Sequence, residues 1–139
     1  MSGLAALLAG RHEPGVYRWH AAFDVEDLRR SVERAGALLG YVDGWRNPTK
    51  AETLDALAAT LGFPDWFGRN LDALADCLAD VVEPTVLLWD GWGVLARQDE
   101  TAFTGVLEVL ADRSATGAVA FSVLLRGDGP EPGVPSLDT

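Results

Sequence analysis

Asp72, Asp76 and Asp80 stand four residues apart in the stretch GRNLDALADCLADVVE, and in a helix that spacing gathers three carboxylates on one side. The other side is apolar, because Leu71, Leu74, Leu78 and Val81 or Val82 recur at three- and four-residue intervals, as a core-facing stripe does. Asn70 is placed to cap this helix through its side-chain oxygen. Asp72, close to the cap, is favoured by the helix dipole, but Asp76 and Asp80 lie where that benefit fades, with Glu83 near the same line. Carboxylates four residues apart repel by about 0.2–0.5 kcal/mol per pair, and aspartate is a mediocre helix former. Local stability therefore does not account for the row. Two readings remain open: a solvated face of an acidic protein, or a docking surface for a cationic partner.

Other chemistry finds little support. The formal net charge is −10, which argues against a nucleic-acid backbone as the direct partner, since that requires a basic patch, and favours basic proteins. Cys77 is the only cysteine, so no intramolecular disulfide forms, and its place beside the apolar stripe marks a buried, inert thiol. His12 and His20 have no clustered ligands around them, and three aspartates on one helical stripe do not wrap a metal ion as a loop does. No cofactor or metal is expected. Trp19, Trp45, Trp89 and Trp92 read as core or turn packing rather than a stacking platform for bases. The sequence shows no Ser-His-Asp order and no glycine-rich phosphate loop, so an enzyme is not expected. Leu4 to Ala9 form an apolar run too brief for a signal peptide or a membrane span, which makes the cytoplasm the expected location.

The elements that must present the acidic stripe can be read on either side of it. Pro64 biases Phe63 toward extended geometry and closes the preceding helix, and Gly68 allows a tight turn before Asn70. That preceding helix starts at Asn47-Pro48-Thr49, where Thr49 and Glu52 match a capping box, and runs to Gly62 with Leu54, Leu57 and Leu61 inward. Strands are expected at Val16 to His20, Ala37 to Val42, Thr85 to Trp89 and Ala118 to Leu125. Helices are expected from Val25 to about Ala35, capped by Asp24, and from about Glu100 to Arg113, capped by Asp99. The acidic helix itself is expected to run to Glu83-Pro84. Alternating strands and helices predict an α/β layer with a parallel sheet. The expected organisation is an adaptable arm over 1–14, one domain over 15–126 and a disordered proline-bearing tail over 127–139.

The stretch Phe63-Pro64-Asp65-Trp66-Phe67-Gly68-Arg69-Asn70-Leu71-Asp72-Ala73-Leu74-Ala75-Asp76-Cys77-Leu78 resembles the signature of the barstar family, intracellular inhibitors of secreted guanyl-preferring ribonucleases such as barnase. The resemblance runs from about Leu38 to Leu125. It implies a small parallel sheet of three strands covered by helices, with 37–126 as the core and 15–36 adding an extra strand and helix. It also implies a one-to-one complex with a small guanyl-specific, barnase-like ribonuclease, whose cation-lined active site the acidic helix occludes as a phosphate mimic. In that complex Asp76 inserts most deeply, Asp72 assists, Trp66 packs on the enzyme, and Gly68 and Asn70 make loop contacts, with Asp112 a further acidic contact. Ala75 and Ala79 stand where the best-known member has an aromatic residue and a hydroxyl, and Asp80 replaces a glycine there. Those three positions put the identity of the ribonuclease and the affinity in question. The alternative is a barstar-like interaction module that docks on a different basic protein without inhibiting a ribonuclease.

Overall fold

Four short apolar runs lie side by side in one wholly parallel sheet, in the order β1-β4-β3-β2. The computed structural model describes residues 2–137. In chain order the elements are α1 (Gly3–Leu8), β1 (Val16–Arg18), α2 (Val25–Arg34), β2 (Leu38–Asp43) and α3 (Lys50–Leu61). They continue as α4 (Leu71–Ala79), β3 (Thr85–Asp90), α5 (Gly93–Gln98), α6 (Glu100–Ala115) and β4 (Phe121–Arg126). The α/β architecture is the one expected, and the additional N-terminal strand sits at the β4 edge.

Although β3 is buried along its whole length, its side chains still alternate between two cores. Leu87 and Trp89 join Val123 and Leu125 against α3, α4, α5 and α6. Val86 and Leu88 join Leu124 against α1 and α2. Tyr17, Trp19, Leu28 and Val32 build most of this second layer, which the N-terminal segment supplies.

Both ends of the chain are more ordered than their composition suggests. Residues 1–14 were expected to be an adaptable arm, yet α1 is capped by Ser2, whose Oγ accepts the Ala5 N–H, and buries Leu4 and Leu7 in the second core. A helix this short is not stable alone, so the docking of that apolar pair holds it. The expected disorder over 127–139 gives way, over 127–137, to an extended segment beside β1, while 138–139 lie outside the described residues. The Arg18 N–H donates to Pro135 O at 2.9 Å, and the Leu137 N–H donates to Arg18 O at 2.7 Å. Leu137 is only 2% exposed, and its burial anchors a segment otherwise poor in apolar residues. The exposed edge of β1, with its unpaired backbone groups, supplies the other half of the attachment.

The outer edge of β2 is covered by side chains instead. The Tyr41 N–H donates to Thr60 Oγ1 at 2.8 Å, Arg29 Nη1 donates to Leu39 O at 3.3 Å, and Asn47 Nδ2 donates to Asp43 O at 2.9 Å.

Candidate partner-binding face

The loop between α3 and α4 turns one tryptophan outward by turning its aromatic neighbours inward. Gly62 takes a left-handed backbone at φ 70° to end α3, its N–H returning to Ala58 O. The Phe67 N–H then donates to Pro64 O at 3.0 Å, closing a tight turn. Phe63 and Phe67 meet with ring centroids 5.2 Å apart and pack against the core. Trp66, between them in the turn, is 69% exposed.

The left-handed residue before α4 is Arg69, at φ 54°, and not Gly68, where the sequence placed the freedom to turn. Arg69 is held by a two-pronged ion pair with Asp55 of α3, Nε to Oδ1 at 2.8 Å and Nη2 to Oδ2 at 2.9 Å. Gly68 serves by lacking a side chain, since a Cβ there would lie 3.2 Å from the Asn70 amide nitrogen. That amide donates to Gly68 O, while Asn70 Oδ1 accepts the Ala73 N–H at 2.8 Å as the expected cap.

Along α4, Leu74, Cys77 and Leu78 are buried, Leu71 is half-buried, and Asp72, Ala75, Asp76, Ala79 and Asp80 are all exposed. α4 packs on α6 closely enough that a Cβ on Gly105 would come within 2.7 Å of Leu71 Cδ1. The helix stops at Ala79, short of the expected end at Glu83, so Asp80 is its C-cap and Glu83 lies beyond it. Val82 is 78% exposed rather than part of the apolar stripe.

The cause of the early stop lies 35 residues away, in Arg113 on the last turn of α6. This side chain, 7% exposed, donates from Nε to Leu78 O at 2.9 Å and from Nη2 to Val81 O at 3.2 Å. Its Nη1 donates to Thr116 O at 2.9 Å and to Val119 O at 3.3 Å. The cation thus sits at the negative ends of two helices and adds a donor to carbonyls there, including Leu78 O, which also accepts the Val81 N–H at 3.1 Å. Pro84 further disfavours helix at Glu83. Arg113 carries no role in the sequence reading, although it continues the buried spacing of Phe103, Val106 and Leu110.

Asp112, beside Arg113 on α6, is exposed and lines one surface groove together with Ala75 and Ala79. Among the described residues, Asp72, Asp76, Asp80 and Asp112 have no ion-pair partner, whereas Asp27, Asp43, Asp55 and Asp90 each have one. The face therefore presents unpaired carboxylates next to an exposed indole. Its field reaches inward as well: the Cys77 thiol is pushed above its ordinary value, first by burial and then by Asp80 and Asp76. Burial and that field both favour the protonated thiol.

The remaining candidates lie elsewhere. His12 Nδ1 meets the Tyr17 hydroxyl at 3.0 Å, His20 is exposed, and no metal-holding group of three or more His, Cys, Asp or Glu exists among the described residues. Trp19, Trp89 and Trp92 are buried, whereas Trp45 is exposed. One buried cluster lay outside the sequence reading. Asp90 is bridged by Arg126 through two contacts at 2.6 and 2.9 Å and accepts the Tyr41 hydroxyl at 3.0 Å. Arg126 also donates to Ala21 O and Phe23 O, tying the β1–α2 connection to the rest of the sheet.

A family model described as Barstar (barnase inhibitor) matches residues 38–126, well over half of the chain. The chain belongs to the barstar family. The matched region holds the loop with Trp66, the whole of α4 and Asp112, and it leaves α1, β1, α2 and the tail outside. In overall shape the barstar-family chain is also similar to solved structures of other proteins. The ORC2 protein of Aeropyrum pernix, in its ADPNP-ADP complexes, matches at 16% identity and a TM-score of 0.65, over 91% of this chain and 38% of that one. CDC6P from Pyrobaculum aerophilum matches at 16% identity and a TM-score of 0.59, over 90% of this chain and 36% of that one. These likenesses concern the fold alone. The only lysine here, Lys50, follows Thr49 and not the glycine of a phosphate-binding loop.

No helix among the described residues is long and apolar enough to cross a membrane.

Proposed function

We propose that this barstar-family chain inhibits a small guanyl-specific ribonuclease, one to one, by seating the acidic face of α4 in the enzyme's cation-lined active site. Asp76 makes the deepest contact, Asp72 and Asp80 flank it, Trp66 covers the enzyme surface beside it, and Gly68 and Asn70 shape the approach. Asp112 adds a second acidic point from α6. The carrying observation is the face itself: four unpaired, exposed aspartates around a helix whose preceding loop points Trp66 at solvent. No cation among the described residues pairs with those carboxylates, and cation-lined sites are matched by such rows through charge-assisted hydrogen bonds. Inhibition by occlusion requires no catalytic group, cofactor or nucleic-acid contact. The setting for such an inhibitor is the cytoplasm of the cell that makes the ribonuclease or meets it. Both sheet edges are occupied by the chain's own groups, which favours a one-to-one complex over strand-to-strand assembly.

The test is inhibition of a panel of small guanyl-specific ribonucleases by the native protein and by Asp76→Ala at fixed salt. At least one enzyme is inhibited stoichiometrically, and the substitution weakens inhibition by at least about 2 kcal/mol, the usual threshold for a binding hot spot. A panel with no inhibited member would turn the assignment to the second reading, an interaction module for another basic protein. The departures at Ala75, Ala79 and Asp80 favour that reading, because flanking positions choose the partner.

A further inference from the structure

Beside the acidic face, the surface opens into a groove of about 440 Å³ between α4, α6 and the segment leading into β4. Ala75 and Ala79 form the α4 wall, Val109 the α6 wall, and Val81, Val82 and Val119 complete the apolar lining. We infer that this groove receives an aromatic side chain of the bound ribonuclease, flanked on the enzyme by a lysine or arginine, and that it determines which ribonuclease is accepted. The inference rests on the proposed inhibition and adds to it a contact that the carboxylates do not make.

Three observations define the guest. The two alanines and the valines offer no hydrogen-bond partner from their side chains, so the depth of the groove suits an apolar group. The Arg113 guanidinium also lines it, already committed to four carbonyls and lying 5.4 Å from the centre of the Phe121 ring. A cationic guest would be repelled there, while the face of an aromatic ring is attracted to a guanidinium. Asp112, which also lines the groove, is exposed and has no ion-pair partner among the described residues. The rim therefore calls for a cation next to the ring. The volume lies in the range of about 300–1,000 Å³ typical of ligand sites, which leaves room for a whole aromatic side chain. Buried aromatic anchors of this kind dominate partner choice at interfaces.

The experiment fills the groove. Ala75→Leu and Ala79→Leu place larger side chains on exposed positions of α4 with a good helix former, and thermal melts check that the fold is intact. Ala51→Leu, an exposed alanine on α3 away from this face, controls for added surface leucine. Against a ribonuclease inhibited by the native protein, filling the groove weakens inhibition by at least about tenfold, and the α3 control leaves it unchanged. One surface aromatic of that ribonuclease, replaced by alanine, should weaken the native complex about tenfold and the Ala79→Leu complex less than about twofold. If Asp76→Ala abolishes inhibition but groove filling changes it less than about twofold, the groove assignment is wrong and the inhibitory reading stands. Tighter binding on filling, or groove sensitivity with no sensitive aromatic on the enzyme, would equally overturn it. If the native protein inhibits no ribonuclease at all, both readings fail together.

Discussion

Replacing Arg113 by methionine keeps most of the side-chain volume and removes the charge that four carbonyls share. The Nε bond to Leu78 O is fully buried, and a hydrogen bond to a charged group contributes about 1.5–3 kcal/mol. The three others are partly open, so water can replace the lost donor at a cost of about 0.5 kcal/mol each. Against this, methionine carries no charge to be stripped of water, which returns about 1–2 kcal/mol. The net loss is about 1–3.5 kcal/mol, with its centre at about 2 kcal/mol. For a domain of this size a loss of 1 kcal/mol lowers Tm by about 3 °C, so melting should fall by about 3–10 °C. Circular dichroism melts and urea titrations would measure it, with an unchanged m-value showing that the native fold is retained. Arg113→Lys keeps the charge but not the planar fork, and it should recover less than half of the loss. A melting temperature within about 2 °C of the native protein for Arg113→Met would refute the view that this residue ends α4 and braces it.

Burial, and then the nearby Asp90 carboxylate, push the Tyr41 hydroxyl from its ordinary 10.0 up to about 12. Because the folded value is the higher one, its stabilisation is complete below about pH 10 and is lost as pH rises through about 12. Ultraviolet titration should find Tyr41 ionising well above pH 10, and Tyr41→Phe should flatten the alkaline stability loss; a normal midpoint would contradict the burial argument. Leu137→Ala should cost about 2–3 kcal/mol, the low end for a buried leucine because its site is near the surface, and urea unfolding would read it. A change below about 0.5 kcal/mol would mean that the tail does not hold β1. Raising salt from about 0.05 M to about 0.5 M should slow association with the proposed ribonuclease partner at least about tenfold while changing dissociation less than about threefold. A salt-insensitive association rate would remove the steering role of the acidic face.

The sequence made the frame of the molecule legible where a local rule governs it. Strands β3 and β4 follow from the apolar runs TVLLW and AVAFSVLL, although β4 forms only from Phe121, and Asn70 and Thr49 are side-chain caps as their positions suggest. The outward acidic row and inward Leu74 and Leu78 likewise follow from helical spacing. What escaped is set by contacts remote in the chain. The end of α4 depends on a guanidinium from α6, and the order of the tail depends on an open edge at β1. The pairing of Asp90 with Arg126 needs the strand register, which places those two residues side by side at the ends of β3 and β4. The turn before α4 misled for a different reason. Gly68 is the natural candidate for a left-handed residue, but the ion pair to Asp55 lets Arg69 take that conformation instead.

The same contacts explain how α4 tolerates its own chemistry. Asp72, Asp76 and Asp80 repel along the helix, and Asp80 sits at the C-cap, where the dipole disfavours a carboxylate. An isolated nine-residue helix with those charges would not form. It persists because both of its ends are tied to other elements. At the start, Arg69 grips α3 while Phe63 and Phe67 lodge in the core; at the finish, Arg113 gathers Leu78 O and Val81 O. The repulsion is therefore absorbed by the scaffold before any partner arrives, and the carboxylates are held in place without having to be ordered on binding. Such preorganisation raises affinity by lowering the cost of association, and a cationic partner would gain further by relieving the repulsion among the aspartates. On this argument the clamp residues Arg69 and Arg113 support the proposed inhibition by holding α4 in place.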